Sequence, residues 1–213
     1  MNTKEIMKHI DYTFLKATAT EEDIFNLCKE AEENNCASVC IPSSFVSFAH
    51  QLFPNLTICT VVGFPLGNCT TEIKCTEAYN AVKDGAKEID MVINIGKLKR
   101  GDYPYVTDEI NKVKISCGDD VVLKVIIETC YLTEQEIRII TRLIDTFTYA
   151  DYIKTSTGFG SRGASFEDVA LMKSKILYGL KIKASGGIRT KEDMEKYLEM
   201  GCDRIGASVL PKG

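Results

Sequence analysis

The chain has 213 residues, 45% of them hydrophobic, which is enough for one sizeable core and predicts a single domain over residues 1–213. Acidic residues outnumber lysine and arginine by 30 to 26, the net charge is −4, and no basic stripe appears, so nucleic acid is not expected as a partner. An apolar run of about 18 residues and an apolar leader are both absent, so we expect a cytoplasmic protein that does not engage a membrane.

Eight short, strand-like runs follow one another along the chain. They are His9–Thr13, Ala37–Ile41, Leu56–Val62, Lys87–Ile93, Val121–Ile127, Tyr152–Lys154, Leu180–Lys183 and Arg204–Gly206. Segments with helical periodicity separate them, and several begin with a capping residue: Thr20, Thr70 or Thr71, Thr133, Ser165 and Thr190. The stretch from Asn94 to Pro104 contains Gly101 and predicts the longest loop, ahead of a helix that begins near Tyr105.

This alternation predicts an α/β protein, either a closed (β/α)8 TIM barrel or an open doubly wound sheet. The regular spacing of the units favours the barrel, as does the lack of a G-x-G-x-x-G motif after the first strand. Only seven residues, Ala207 to Gly213, follow the last strand, which predicts a shortened C-terminal end without the usual closing helix.

Two of the strands end in a lysine. Lys154 is followed by the loop Thr-Ser-Thr-Gly158, and Lys183 by Ala-Ser-Gly186-Gly187. Two cations at matching positions of successive strand–loop units could share one pocket, where crowding lowers an amine's pKa and yields a neutral nucleophile for a Schiff base. The alternative is a pair of structural lysines whose ammonium groups reach water at the sheet edge.

Two further charged residues lie inside predicted strands. Alternation places Asp90 on the same face as Glu88, which would be the barrel interior, and Lys154 or Lys183 could supply the cation it needs there. Lys124 lies in mid-strand with Glu128 on the same face, which leaves a structural pairing and a supporting electrostatic role both open.

Small residues follow the last two strands, as Ser185-Gly186-Gly187 and Gly206-Ala207-Ser208. Loops at these positions of a barrel commonly hold a phosphate through backbone N–H groups, and Gly158 could join them, although turns also require glycine. Nine cysteines and two histidines show no C-x-x-C or other metal-ligand spacing, so a zinc site is not supported and Cys40 is interpreted as a buried, inert thiol.

Several motifs taken together resemble the deoxyribose-phosphate aldolase family over nearly the whole chain. They are Ile10-Asp-Tyr-Thr-Phe-Leu-Lys16, Ala37-Ser-Val-Cys40, Val62-Gly-Phe-Pro-Leu-Gly67, Lys74-x-x-Glu77-Ala78, Glu88-Ile-Asp-Met-Val-Ile-Asn-Ile-Gly96, Ile127-Glu-Thr129, Ile153-Lys-Thr-Ser-Thr-Gly-Phe159 and Ile182-Lys-Ala-Ser-Gly-Gly-Ile-Arg189. The resemblance implies a (β/α)8 barrel that splits 2-deoxy-D-ribose 5-phosphate reversibly into D-glyceraldehyde 3-phosphate and acetaldehyde, in deoxyribonucleotide catabolism.

The resemblance also implies roles for individual residues. Lys154 would form the Schiff base, Lys183 would be the neighbouring cation, and Asp90 would move protons. The predicted substrate contacts are Asp11, Thr13, Lys124 and Thr157, and the predicted phosphate contacts are Gly158, Gly186, Gly187, Gly206 and Ser208. No metal or other cofactor is expected, and a homodimer or higher homo-oligomer is compatible with the family.

The sequence departs from the family pattern at several points. Tyr12 stands where histidine is frequent, and Val209 stands where the family usually has a second serine. Arg162 replaces a small residue and is expected to face water. Two rival functions stay open here, namely another Schiff-base sugar-phosphate aldolase and a non-catalytic barrel that binds sugar phosphates.

Overall fold

The structure, a computed structural model that describes residues 1–211, is a closed barrel of eight parallel strands in sequence order. The strands are β1 Ile10–Thr13, β2 Ser38–Ile41, β3 Ile58–Val62, β4 Glu88–Val92, β5 Val122–Ile126, β6 Tyr152–Lys154, β7 Lys181–Ser185 and β8 Arg204–Ala207. All eight predicted strands are present, and β8 pairs with β1 to close the barrel, which confirms the predicted fold.

Helices cover the outside of the barrel. They are α1 Thr3–Met7, α2 Glu21–Glu33, α3 Val46–Leu52, α4 Thr71–Lys83, α5 Ile95–Lys99, α6 Tyr103–Cys117, α7 Glu134–Phe147, α8 Phe166–Lys173 and α9 Lys191–Glu199. Within residues 1–211, none of these helices is both long enough and apolar enough to cross a bilayer.

The predicted helix starts are mostly confirmed by their capping bonds. The side chains of Thr20 and Thr133 each accept a bond from the third helical N–H, and their backbone N–H groups donate to the carboxylates of Asp23 and Glu136, which completes a capping box. Ser165 and Thr190 accept the equivalent backbone bond at the starts of α8 and α9. Thr70 is the N-cap of α4 but makes no capping bond through its side chain.

The prediction of a long loop from Asn94 to Pro104 is wrong. Asn94 caps the short helix α5 by accepting a bond from the Lys97 N–H, and α6 begins at Tyr103. Pro104 lies in the first turn of α6, where its missing N–H costs no helical bond. After β8, residues 208–211 form no helix, and the last two residues of the predicted short end lie outside the described part of the chain.

Apolar and charged residues are divided between the two faces of the strands. On β4, Ile89 and Met91 belong to the apolar core, while Asp90 and Glu88 on the opposite face make ion pairs with residues of other strands. The apolar core therefore fills the layer between strands and helices, and the barrel interior carries charged side chains.

A buried ion pair joins the helical layer to the carboxyl ends of the strands. The Lys74 Nζ on α4 lies 2.9 Å from the Glu109 Oε2 on α6, and both side chains are fully buried. The same ammonium donates to the carbonyl oxygens of Gly67 and Val92, at 2.7 and 2.8 Å. This cation therefore fixes the segments that follow β3 and β4.

Replacement of Lys74 by methionine leaves the Glu109 carboxylate buried without its cation. We expect Lys74→Met to lower the free energy of unfolding by about 3–5 kcal/mol, the usual cost of breaking a buried pair. Urea unfolding at pH 7 measures it. Lys112→Met is the matched control, because Lys112 pairs with Asp108 on the exposed face of α6, and no measurable change is expected. Equal midpoints for the two variants would contradict the prediction.

Candidate active site

A cleft opens at the carboxyl ends of the strands, where barrel enzymes place their reactive groups. Its volume is about 240 Å³, and the loops after β1, β6, β7 and β8 form its wall. The lining residues are Thr13, Phe14, Leu15, Lys16, Lys154, Thr157, Gly158, Phe159, Ser185, Gly186, Gly187, Ile188, Arg189, Gly206, Ala207 and Ser208.

The floor of this cleft is organised around the carboxylate of Asp90. One oxygen, Oδ2, accepts bonds from the Nζ atoms of Lys154 and Lys183, both at 2.7 Å. The other oxygen, Oδ1, accepts from the Nζ of Lys124 at 2.9 Å. Burial alone would raise the pKa of Asp90, but the charges of these three lysines outweigh it and hold the pKa well below its usual range.

The two strand-end lysines differ in depth. They are partners in the register of β6 and β7, so their backbones are neighbours in the sheet. Lys154 is 3% exposed and lines the cleft, whereas Lys183 is fully buried beneath it. Burial alone would lower the pKa of Lys183, but the charges of Asp11 and Asp90 raise it, so Lys183 is a fixed cation beside the accessible amine.

Asp11 and Lys124 lie in the interior and do not line the cleft. Asp11 is fully buried and binds Lys183, Arg204 and the hydroxyl of Ser38, the last at 2.7 Å. Burial opposes ionisation of Asp11, yet the nearby cations, Lys183 foremost, keep its pKa below the usual range. The structure thus gives both residues partners among the interior charges, below the surface that a substrate would touch.

Two members of this network escaped the sequence analysis. Arg204 on β8 binds both Asp11 and the Glu88 carboxylate, the latter through its Nη2 at 3.0 Å. Glu88 also pairs with Lys124 at 2.5 Å. In the sequence Arg204 marks only the start of a strand, and its position opposite Lys183 in the register of β7 and β8 is a relation that sequence spacing does not reveal.

The interior network joins three carboxylates to four cationic groups. The carboxylates are Asp11, Glu88 and Asp90, and the cations are Lys124, Lys154, Lys183 and Arg204. With every group ionised, the network carries one positive charge in excess. Lys154 is the amine of this set that lines the cleft.

The predicted phosphate residues all line one side of the cleft. Gly186 has a φ of +84°, and a Cβ there would lie 2.9 Å from the Gly163 Cα and 3.3 Å from the Gly158 Cα. A Cβ on Gly206 would lie 2.8 Å from the Ser185 Cβ. Only glycine fits these close approaches, so the backbones of the three loops converge. Lys16 and Arg189, which the analysis did not select, add two basic side chains to the same cleft.

Glu128 does not pair with Lys124, a pairing that the sequence analysis had left open. It follows β5 with a φ of +51°, which turns its side chain out of the strand pattern and towards the loop after β6. Its carboxylate accepts bonds from the Thr157 N–H at 3.3 Å and from the Thr157 hydroxyl. Arg162 in the same loop pairs with Asp168 and is 45% exposed, so it faces water as expected.

The expectation that the chain lacks a cluster of metal-ligating groups is wrong. Three possible ligand atoms lie within 4.8 Å of one another among the described residues: the sulfur of Cys40, the sulfur of Cys59 and a carboxylate oxygen of Asp90. The barrel assembles this group from three strands, which sequence spacing does not reveal. Three ammonium groups already bind the same carboxylate, so their charge opposes a metal cation there.

The interior carboxylates predict an acid-sensitive fold. Because the pKa values of Asp11 and Asp90 are lowered on folding, their stabilisation is complete above the unfolded pKa and is lost as the pH falls through and below about 4. We expect Asp11→Asn to flatten the dependence of unfolding free energy on pH, by up to about 1.4 kcal/mol per pH unit below pH 4. Urea midpoints between pH 6 and 3 measure it. The exposed Asp119→Asn should keep the parent's slope, and parallel curves for all three proteins would contradict the prediction.

Comparison with known proteins shows the family to which this chain belongs. The family described as DeoC/LacD family aldolase matches residues 6–211. A protein of Clostridium botulinum named deoxyribose-phosphate aldolase is 51% identical over 209 residues, which cover 98% of this chain and 94% of the relative. A protein of the same name from Treponema denticola is 49% identical over 207 residues, covering 96% of this chain and 95% of the relative.

Solved structures agree with the sequence relatives. A structure titled "QR15, an Aldolase" superposes with a TM-score of 0.92 at 39% identity and covers 96% of this chain and 91% of its own. The deoxyribose phosphate aldolase of Aeropyrum pernix, whose title calls it tetrameric, gives a TM-score of 0.90 at 30% identity, with 97% and 88% of the two chains covered. The chain belongs to the DeoC/LacD family of aldolases.

Proposed function

We propose that this protein is a class I aldolase that cleaves 2-deoxy-D-ribose 5-phosphate reversibly to D-glyceraldehyde 3-phosphate and acetaldehyde. The observation that carries the proposal is the accessible amine of Lys154, which shares one oxygen of Asp90 with the buried cation Lys183. Relatives named deoxyribose-phosphate aldolase, about half identical over nearly the whole chain, support the choice of substrate.

In the first step, the neutral amine of Lys154 attacks the aldehyde carbon of the open-chain sugar. The resulting hydroxyl takes up one proton and leaves as water when the iminium forms, and the final hydrolysis releases that proton again. The charge count of the interior supports this role, because a neutral Lys154 leaves three carboxylates facing three cations. Lys183 stays charged between Asp11 and Asp90 and so opposes a second positive charge beside it.

In the second step, the bond between C2 and C3 of the sugar breaks. Its electron pair moves into the iminium, which becomes an enamine, while the C3 hydroxyl loses its proton and becomes the aldehyde of glyceraldehyde 3-phosphate. Asp90 is the proton acceptor and donor nearest to Lys154, and a water molecule can link its carboxylate to the sugar. Protonation of the enamine carbon and hydrolysis then release acetaldehyde and restore Lys154.

The phosphate of the substrate would lie against the loops after β6, β7 and β8. Gly158, Gly186 and Gly187 and the segment from Gly206 to Ser208 line that side of the cleft, and backbone N–H groups of such loops would favour an anion. Thr13 and Thr157 also line the cleft and suit contacts to the sugar hydroxyls. Asp11 and Lys124, predicted to touch the substrate, would instead act from below by holding Lys183 and Asp90 in place.

We further propose a cytoplasmic homo-oligomer that works without a metal or another cofactor. The tetrameric Aeropyrum pernix relative supports the self-association. The rival that the family leaves open is an aldolase for another sugar phosphate, with dihydroxyacetone phosphate as the carbonyl partner. Borohydride reduction in the presence of acetaldehyde or of dihydroxyacetone phosphate distinguishes them, because only the true partner is trapped on the enzyme.

The Schiff base predicts which lysine is essential. A coupled assay for glyceraldehyde 3-phosphate should detect turnover by the parent, and Lys154→Ala should lower kcat by more than about 10⁴-fold. Lys154→Arg should fail equally, because a guanidinium stays charged and cannot form the imine. Lys181→Ala is the matched control, since Lys181 is exposed at the start of β7, at the other end of the strand from the cleft. Borohydride trapping of acetaldehyde at any lysine other than Lys154 would contradict the mechanism.

A substitution in the phosphate subsite should weaken binding of the phosphorylated substrate and leave the chemical step unchanged. Ser208→Ala removes a hydroxyl that lines the subsite, and a hydrogen bond to a charged group is worth about 1.5–3 kcal/mol. The KM for deoxyribose 5-phosphate should therefore rise by about 10- to 100-fold, while kcat/KM for unphosphorylated 2-deoxyribose stays at the parent's value. The exposed Ser161→Ala should change neither. Equal losses on both substrates would show that Ser208 does not contact the phosphate.

A further inference from the structure

Two buried cysteines face each other at the centre of the molecule. Cys40 on β2 and Cys59 on β3 are direct partners in the register of adjacent parallel strands, and both are fully buried. Neighbouring strands lie about 4.8 Å apart, which falls within the range of Cα separations that a disulfide bridges. Their sulfur atoms already lie within 4.8 Å of each other and of a carboxylate oxygen of Asp90.

The surroundings of this pair favour sulfur nucleophilicity. Contact with the Cys59 thiol lowers the pKa of Cys40 and the charge of Lys183 acts in the same direction, against burial and the Asp90 carboxylate, which raise it. Burial raises the pKa of Cys59, whose thiol donates to the Asp90 Oδ1, so Cys59 keeps its proton. The two thiols are thus unequal, with Cys40 suited to attack an electrophile and Cys59 suited to follow.

Both cysteines are fully buried and neither lines the cleft, so the route proposed for a small oxidant leads from the cleft past Lys154. Lys154 lines the cleft and its Nζ lies 2.7 Å from the Asp90 carboxylate that both sulfur atoms adjoin. Hydrogen peroxide is close to water in size and carries no charge, so the lysines do not repel it. We propose that Cys40 and Cys59 are a redox-active pair that hydrogen peroxide closes to a disulfide, in addition to the aldolase reaction.

The reaction balances with peroxide as the oxidant. The Cys40 thiolate attacks one peroxide oxygen, the O–O bond breaks, and the departing hydroxide takes up a proton to become water. The Cys59 sulfur then attacks the resulting sulfenic acid, the S–S bond forms, and a second water leaves. The two thiol protons end in the two waters, and a dithiol such as dithiothreitol reverses the change.

Formation of the disulfide would directly change the hydrogen bonding of the Asp90 carboxylate. The Cys59 thiol donates to the Asp90 Oδ1 at 3.2 Å, and the Lys124 Nζ donates to the Cys59 sulfur at 3.3 Å. A disulfide has no proton to donate, so the Oδ1 loses one of its bonds while the lysines keep theirs. A bond to a charged acceptor accounts for about a tenfold change in rate.

Mass spectrometry of the full-length enzyme tests the cross-link without reference to activity. No lysine or arginine lies between Lys29 and Lys74, so trypsin leaves both cysteines on one peptide. Chymotrypsin, which cleaves after Phe45 and Phe48, separates them. After limited hydrogen peroxide, we expect the two chymotryptic peptides to run as one disulfide-linked species that dithiothreitol separates. Failure to find this species while other thiols are oxidised would overturn the proposal.

Aldolase activity supplies the second measurement, each protein being compared with its own untreated sample. The parent and Cys75→Ser, a half-buried cysteine on α4, should lose about tenfold on oxidation and recover with dithiothreitol. Cys40→Ala should keep its rate in peroxide. In Cys59→Ala the sulfur of Cys40 should gain oxygen instead of a cross-link, because no thiol resolves the sulfenic acid. Loss in Cys40→Ala as large as in the parent would refute the link to Asp90.

Discussion

The carboxylate of Asp90 is the interaction on which the rest of this molecule depends. A carboxylate removed from water needs compensating charge, and here three lysines from three other strands supply it. Each of those lysines would be equally costly to bury without an acid beside it. The members of the site are therefore interdependent, because each buried charge relies on neighbours of opposite sign.

A closed parallel barrel brings these acidic and basic residues together. Asp90 and Lys124 are partners in the register of β4 and β5, and Lys154, Lys183 and Arg204 stand side by side across β6, β7 and β8. Inward-facing residues from neighbouring strands lie in layers, so two adjacent rows bring acids and bases into contact. The outer faces of the same strands carry the apolar core, and stability and chemistry are thus assigned to opposite faces of one sheet.

The sequence predicted the elements well because their signals are local. Capping boxes at Thr20 and Thr133 and the alternation around Asp90 depend only on residues a few positions apart. The two strand-end lysines could be recognised for the same reason. Asn94–Pro104 was misread because a five-residue helix is too short to show periodicity, and Pro104 is tolerated in the first turn of α6.

Contacts between strands could not be read in this way. Arg204 and Glu88 are 116 residues apart, and the contact between Cys40 and Cys59 depends on the register of two strands, which a run of sequence does not specify. The placement of Asp11 was misjudged for a related reason. A polar residue in a strand that ends at the cleft can face either the substrate or the charges below it, and the depth along the strand decides between them.

The two strand-end lysines look alike in the sequence, but they lie at different depths below the cleft. Lys154 and Lys183 share a carboxylate oxygen and a place in the register, so their difference lies in what surrounds them. Lys183 has a second acid, Asp11, and no exposure, whereas Lys154 opens to the cleft and has Asp90 alone. The second acid of the interior is therefore bound by the inner lysine, and the outer lysine is the one that a substrate can reach.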